Sequence, residues 1–252
     1  MLNINIFSNK KETGEAAAEK AAELLLKTLD SQDNAYFVAA TGVSQFEFLD
    51  TLTKNEEIEW ARTVMFHLDE YIGLPASHPA SLRNYLQKHI VNLIPLRKVH
   101  FIEGDALDAE QECNRINKII SEVKIDVIFV GVGENGHLAF NDPPAKFEIK
   151  DPYIIVDLDQ KSRNQQVREG WFGSIEQVPK KAISMSIQEI MRGKNIICIC
   201  PERRKAEAVR NCFSEDKRIT PKYPASILKK HESCFCFLDE ESASLLKTSK
   251  IR

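Results

Sequence analysis

Two carboxylates and an imidazole stand out in this 252-residue sequence as groups whose neighbours suit proton transfer. Asp69 follows Thr63-Val-Met-Phe-His-Leu68, a β-branched and apolar run that reads as a strand, so its carboxyl is delivered at the end of a rigid element. A carboxylate fixed there can act as a general base; the bland alternative is a turn or helix-cap aspartate. His137 stands in Gly131-Val-Gly-Glu-Asn-Gly-His-Leu-Ala-Phe-Asn-Asp-Pro-Pro144, with Asp142 five residues on. A carboxylate close to an imidazole orients it and stabilises its charged form, as proton transfer near neutral pH requires. The glycines match G-x-G-x-x-G after an apolar strand, the pattern of a dinucleotide site. That fingerprint needs its third glycine to open a helix, and here tandem prolines follow within a few residues. The run therefore reads as a glycine-rich turn presenting Asn135, His137, Asn141 and Asp142 to a cleft.

A second group of residues suits a phosphate. Thr41-Gly42-Val43-Ser44 lies between a strand and a helix, where backbone N–H groups, the helix dipole and hydroxyls can hold an anion. The full P-loop pattern is missing, so a nucleoside triphosphate is not implied. Lys205 opens another strand-following helix in Pro201-Glu-Arg-Arg-Lys-Ala206, and Arg168 lies in a polar stretch; both are placed to reach a phosphate. Arg203 and Arg204 read as surface residues.

These groups need a scaffold that gathers strand ends. The pattern switches repeatedly between short β-rich runs and segments with helical period, which predicts an α/β architecture. Strands are expected over Leu2–Phe7, Tyr36–Ala40, Thr63–Leu68, Val99–Ile102, Ile125–Val130, Ile154–Leu158, Ala182–Ile187, Asn195–Cys200 and Cys234–Leu238. The run 125–130 is almost wholly apolar, as a central parallel strand buried on both faces should be. Between the strands, Thr13 is expected to cap a helix burying Ala18, Ala22, Leu25 and Leu29, and Leu82, Tyr85, Leu86, Ile90 and Leu93 share a helical face. Ser81 is the expected cap of that second helix. No linker or repeat divides the chain, so residues 1–252 read as one domain, with the polar, punctuated stretch at about 143–179 as a lid-like segment.

Composition narrows the partners. Lys and Arg number 34 against 37 Asp and Glu, a net charge of −3, which excludes a global basic field for nucleic acid but not a local pocket for a small anion. No run approaches the roughly eighteen apolar residues a membrane helix needs, and the amino terminus lacks a signal-peptide pattern; a cytoplasmic protein with no membrane partner is expected. Cys198/Cys200 and Cys234/Cys236 sit one residue apart inside apolar runs, so they read as buried thiols rather than metal ligands.

Taken together, Phe66-His-Leu-Asp-Glu-Tyr-Ile-Gly-Leu-Pro75, His78-Pro79 and Gly131-Val-Gly-Glu-Asn-Gly-His-Leu-Ala-Phe-Asn-Asp-Pro143 resemble the glucosamine-6-phosphate deaminase (isomerase) family. The likeness covers most of the chain: Ala40-Thr-Gly-Val-Ser44 looks like the family's phosphate loop, Gln177-Val-Pro-Lys-Lys-Ala-Ile183 like its post-lid segment, and Lys205-Ala206 matches its phosphate-binding lysine. The related 6-phosphogluconolactonases share the fold and a similar glycine–histidine turn but lack the Asp-Glu-Tyr-Ile-Gly-Leu-Pro string. The resemblance implies a modified Rossmann-type, doubly wound, mostly parallel sheet with flanking helices and a lid, needing neither metal nor organic cofactor. It implies an enzyme converting an amino-sugar 6-phosphate, glucosamine-6-phosphate first, to a fructose-6-phosphate-type ketose phosphate and ammonia. By motif, Asp69 would move a proton between C1 and C2, His137 would assist ring opening with Asp142 orienting it, and Thr41, Gly42, Val43, Ser44, Arg168 and Lys205 would hold the phosphate. A homo-oligomer is the family expectation.

Two departures bear on the substrate. Asn135 stands where the family's deaminases usually carry Asp, and Asp142 where they carry Glu. Asn supplies no negative charge to His137, and Asp is one methylene shorter, which admits another epimer such as galactosamine-6-phosphate. The rival readings are a lactonase that uses His137 without Asp69, and a sugar-phosphate sensor that kept the pocket and lost the chemistry. Pro144-Ala-Lys-Phe-Glu-Ile-Lys150 replaces the serine-containing loop of allosteric members, so activation by an N-acetylated sugar phosphate is not expected.

Overall fold

The computed structural model describes residues 2–247. Among the described residues, ten strands form two sheets: β1 (Leu2–Phe7), β2 (Ala35–Ala39), β3 (Thr63–His67), β4 (Asp69–Tyr71), β5 (Lys98–His100), β6 (Val127–Val130), β7 (Tyr153–Asp157), β8 (Lys181–Met185), β9 (Asn195–Ile199) and β10 (Cys234–Asp239). The larger sheet has the order β1-β10-β9-β6-β2-β3-β5, and every neighbouring pair is parallel. The α-helices among the described residues are α1 (Lys10–Leu29), α2 (Phe46–Leu52), α3 (Leu82–Leu86), α4 (Ala109–Ile120), α5 (Gln160–Arg168), α6 (Ile187–Arg192), α7 (Ala206–Phe213) and α8 (Glu240–Ala243). β6 and β9 are buried along their whole length, because helices cover both faces of a parallel sheet.

The winding of the sheet determines where a ligand can sit. The chain runs outward through β2, β3 and β5, then returns to place β6 on the other side of β2 and continues to β9. The crevice beyond the carboxyl ends of β2 and β6 is therefore the topological switch point, where open α/β sheets bind ligands. Gly14 helps to close the sheet's outer layer. A Cβ there would lie 2.6 Å from Glu47 Cβ and 2.8 Å from the Phe48 nitrogen, so glycine lets α1 and α2 meet almost backbone to backbone.

Several elements differ from the sequence expectation. The runs near 154–158 and 182–187 do not join the parallel sheet; β8 pairs with both β4 and β7 in a separate antiparallel sheet of order β4-β8-β7. The segment 143–179 accordingly holds a strand and the helix α5 rather than irregular chain alone. Helix α1 begins at Lys10, capped by Asn9, whose side chain accepts from Glu12 N. Thr13 lies inside the first turn and its hydroxyl donates to Asn9 O and Leu238 O. Helix α3 does begin after Ser81, whose hydroxyl accepts from Asn84 N. It continues into a π turn at Gln87–Val91, which advances the helix by an extra residue; Ile90 stays buried while Leu93 swings out to 58% exposure. The six cysteines are free and buried, Cys198, Cys200, Cys234 and Cys236 in the apolar runs at β9 and β10 and Cys113 and Cys212 in α4 and α7.

Candidate active site

A cleft of about 770 Å³, open to solvent, lies over the carboxyl ends of four adjacent strands, β9, β6, β2 and β3. Each strand hands it a segment. Residues 40–44 follow β2, Leu68 and Asp69 follow β3, the Gly131–His137 turn follows β6, and Arg204 and Lys205 follow β9. The N-terminus of α3 and, from α5 and the chain just after it, Gln165, Gln166, Glu169 and Trp171 complete the wall.

Asp69 and Glu70 have different environments because they alternate across β4. Asp69 lines the cleft and is 6% exposed. Burial, assisted by the charge of Glu70, pushes its carboxyl up to about 8. Glu70 points the other way and is fully buried. Its carboxylate accepts from the Tyr71, Leu82 and Arg83 amides at 2.9, 3.1 and 2.8 Å and from the Ser81 hydroxyl at 2.9 Å. Burial still raises it against those bonds. Glu70 thus fastens the start of α3 beside the cleft, while Asp69 is left free of such bonds.

The glycine turn is shaped around an imidazole. Gly133 N donates to His137 O at 3.0 Å, Gly136 takes φ = 85°, and His137 N donates to the Asn135 side-chain oxygen at 3.0 Å. The His137 ring lies against Gly133, where a Cβ would come within 2.2 Å of its Cε1. Behind the ring, Nδ1 is 3.3 Å from Asp142 Oδ1 and 3.1 Å from Ser162 Oγ. Ser162 donates in turn to Asp142 Oδ1, and Asn135 donates to the same oxygen at 3.0 Å. The Asp159 amide donates to Asp142 Oδ2 at 3.0 Å. Burial alone would raise Asp142, but His137, Ser162 and the Asp159 amide hold it down to about 2, so it is ionised throughout the neutral range. Asn135 and Asp142 stand behind His137 rather than on the cleft wall. Sequence reading missed Ser162 and Asp159, although Asp159-Gln-Lys-Ser162 carries a helix-capping spacing: Ser162 N donates to Asp159 Oδ1 at 2.6 Å.

At the other end of the cleft, Gly42 takes φ = 104°, a conformation that favours glycine, and the chain enters a short 3₁₀ turn at Val43–Gln45 ahead of α2. The Tyr85 hydroxyl donates to Gly42 O at 2.9 Å and fixes the loop. Thr41, Gly42, Val43 and Ser44 line the same cleft as Lys205, which is 4% exposed and whose pKa burial lowers. Arg168 is not brought to this wall; its side chain is 57% exposed and pairs with Glu134 at 2.5 Å. Arg204, expected on the surface, lines the cleft instead, where its guanidinium is held by Glu134, Glu169 and Glu202. Arg203 does stay exposed. Trp171 packs edge-on against Tyr85 at a ring separation of 6.2 Å, and Phe172 sits between Tyr71 and His78.

Among the described residues, no group of three or more His, Cys, Asp or Glu side chains is arranged to hold a metal ion, and no helix is long and apolar enough to cross a membrane. The cleft offers a buried carboxyl, an imidazole held from behind and a buried lysine as its chemical groups. Both Ser162 and Asp142 address the same imidazole nitrogen, so these three do not form a nucleophilic serine triad, in which base and orienting acid occupy opposite nitrogens.

Residues 8–236 match the family model described as glucosamine-6-phosphate isomerases/6-phosphogluconolactonase. A glucosamine-6-phosphate deaminase of Thermoanaerobacter sp. (strain X514) is 34% identical over 244 residues, 94% of either chain. Among solved structures, a monomeric glucosamine-6-phosphate deaminase superposes with a TM-score of 0.88 at 29% identity, covering 96% of this chain and 99% of its own. The 6-phosphogluconolactonase of Trypanosoma brucei has the same fold, with a TM-score of 0.81 at 17% identity over 97% of this chain and 98% of its own.

Proposed function

This chain belongs to the family of glucosamine-6-phosphate isomerases and 6-phosphogluconolactonases, and we propose from that membership that it is a deaminating isomerase of an amino-sugar 6-phosphate. The observation that carries the deaminase reading over the lactonase one is Asp69 on the wall of the cleft that holds His137. A lactonase needs a base to activate water and gives Asp69 no task. An aldose–ketose conversion needs a carboxylate to move a proton between neighbouring carbons.

The phosphate, bound by the 41–44 loop and Lys205, anchors one end of the sugar and leaves its reacting end between Asp69 and His137. His137 takes the proton of the anomeric hydroxyl and returns it to the ring oxygen, opening the ring. Asp69 removes the proton from C2, next to the C1 aldehyde, and delivers it to C1, while a proton passes from the C2 ammonium group to the aldehyde oxygen, which becomes the C1 hydroxyl. The C2 imine that results is hydrolysed by water to the ketose phosphate, releasing ammonia. Glucosamine-6-phosphate is the first expected substrate and galactosamine-6-phosphate the second, since Asn135 and the shorter Asp142 depart from the usual pattern. Measuring ammonia and ketose phosphate from both, side by side, tests the reading. Sugar-phosphate binding without either product would favour a sensor, and hydrolysis of a phosphorylated sugar lactone would favour the lactonase.

Two further results are expected. Replacing Lys205 by methionine removes a buried charge-assisted contact and should raise KM for the sugar phosphate about 10- to 100-fold with a smaller change in kcat; an unchanged KM would move the phosphate elsewhere. The second concerns pH. Because Asp69 must be ionised to act as base and is held protonated until about 8, kcat/KM should rise with pH up to that value and then level off. A profile already flat from pH 6 would show that the free enzyme carries Asp69 as the anion.

A further inference from the structure

The hydroxyl between His137 and Asp142 comes from neither the turn nor the strands but from α5, the helix of the lid segment. We propose that Ser162 is a positioning residue that relays the Asp142 carboxylate to His137 Nδ1 and so fixes the imidazole's tautomer. The catalytic part of this inference rests on the proposed role of His137.

Hydrogen-bond inventory leads to the assignment. Asp142, ionised, can only accept, and Ser162 has a single hydroxyl proton, which goes to Asp142 Oδ1. Toward His137 the serine oxygen can therefore only accept, at 3.1 Å, so Nδ1 carries the proton. The direct Nδ1–Asp142 separation of 3.3 Å is longer than the 2.7–2.9 Å usual for a charge-assisted bond, so the hydroxyl is the nearer partner. With Nδ1 committed behind the ring, Nε2 keeps its lone pair for the cleft, as a base acting on an anomeric hydroxyl requires. Ser162 is 4% exposed and does not line the cleft, so it reaches substrate only through His137.

The same turn of helix makes the arrangement conditional on the lid. Asp159 caps α5 through Ser162 N, its own amide donates to Asp142 Oδ2, and Gln165, one turn on, accepts from Glu134 N in the glycine loop at 3.3 Å. Docking of α5 and orientation of His137 are thus made by the same bonds, and the helix that carries the lid's wall residues also completes the acid–base pair.

The test is Ser162→Ala, with Ser162→Thr as the variant that keeps the hydroxyl. Removing a partner that orients a working histidine should lower kcat about 10- to 100-fold at little-changed KM, and threonine should restore most of it. Independently of any substrate, ¹⁵N-histidine NMR, with His137→Asn to assign the signal, should find His137 as the Nδ1–H tautomer in the wild type and in Ser162→Thr. Loss of that preference is expected in Ser162→Ala. Activity lost while the tautomer stays unchanged would reduce Ser162 to a lid-packing residue and overturn the inference, as would wild-type kcat in the alanine variant. Should the wild type release no ammonia from any aminohexose 6-phosphate, the proposed function falls, and the tautomer measurement still decides the role of Ser162.

Discussion

Asp69→Asn is expected to lower deamination about 10³-fold while making the protein more stable above neutral pH. The loss follows from removing a cleft-wall carboxyl that, unlike Glu169 on the same wall, makes no hydrogen bond to its own scaffold and stands across the switch point from His137. The gain follows from burial. The folded state holds the Asp69 proton up to about 8, against 3.8 for an ordinary aspartate, so folding binds a proton that the unfolded chain releases. The stabilising contribution of that proton is complete below 3.8 and is lost as pH climbs to about 8. Asparagine stays neutral in both states and does not lose it. Stability of the variant relative to wild type should therefore grow by up to about 1.4 kcal/mol per pH unit across this window and flatten above it. Paired denaturant titrations from pH 5 to 9 measure the difference. A variant that retains near wild-type ammonia release would remove Asp69 from the mechanism, and a pH-independent stability difference would show that the carboxyl is ionised in the folded protein.

The parts of this site that were legible in the sequence are those built by neighbours in sequence. Asp69 at the end of a strand, the glycine turn ending in His137 and Asp142, and the 41–44 loop all follow apolar runs whose burial forces the next residues to one edge of the sheet. What was not legible depends on distant pairing. The runs at 154–158 and 182–187 have ordinary strand composition, and nothing in them says that they pair with each other and with β4 in a second sheet instead of joining the parallel one. Arg168 and Arg204 look alike as residues, but Glu134 and Glu169, 70 and 35 positions away, draw Arg204 to the cleft. Asp69 and Glu70 are adjacent and chemically similar; only the side of β4 each occupies separates a cleft carboxyl from one that anchors the Ser81–Arg83 turn. Ser162 was hidden for the same reason, since the contact with His137 spans 25 residues and two elements.

Gly133→Ala should disable the same chemistry without touching a titratable group. The added methyl would sit 2.2, 2.3 and 2.4 Å from His137 Cε1, Nδ1 and Nε2, where non-bonded heavy atoms need about 3.5 Å or more. Something must move by more than about 1 Å. The backbone is tied by the Gly133–His137 and Gly136–Gly133 bonds at 3.0 and 2.9 Å, with Ala225 N donating to Gly136 O at 3.0 Å, so the ring is the part that yields. A ring displaced by that distance leaves both Ser162 Oγ and Asp142 Oδ1, and a misplacement of about 1 Å at a reacting group can cost about 10²-fold in rate. The 41–44 loop and Lys205, the proposed phosphate-binding groups, lie on other strands, so inorganic phosphate is expected to inhibit the variant and the wild type alike. Non-additivity separates this account from general loosening of the loop. If the alanine acts through His137, then Gly133→Ala adds little to the loss already caused by His137→Asn. Multiplication of the two losses in the double variant, or wild-type turnover in Gly133→Ala alone, would mean that the ring does not depend on the space glycine leaves.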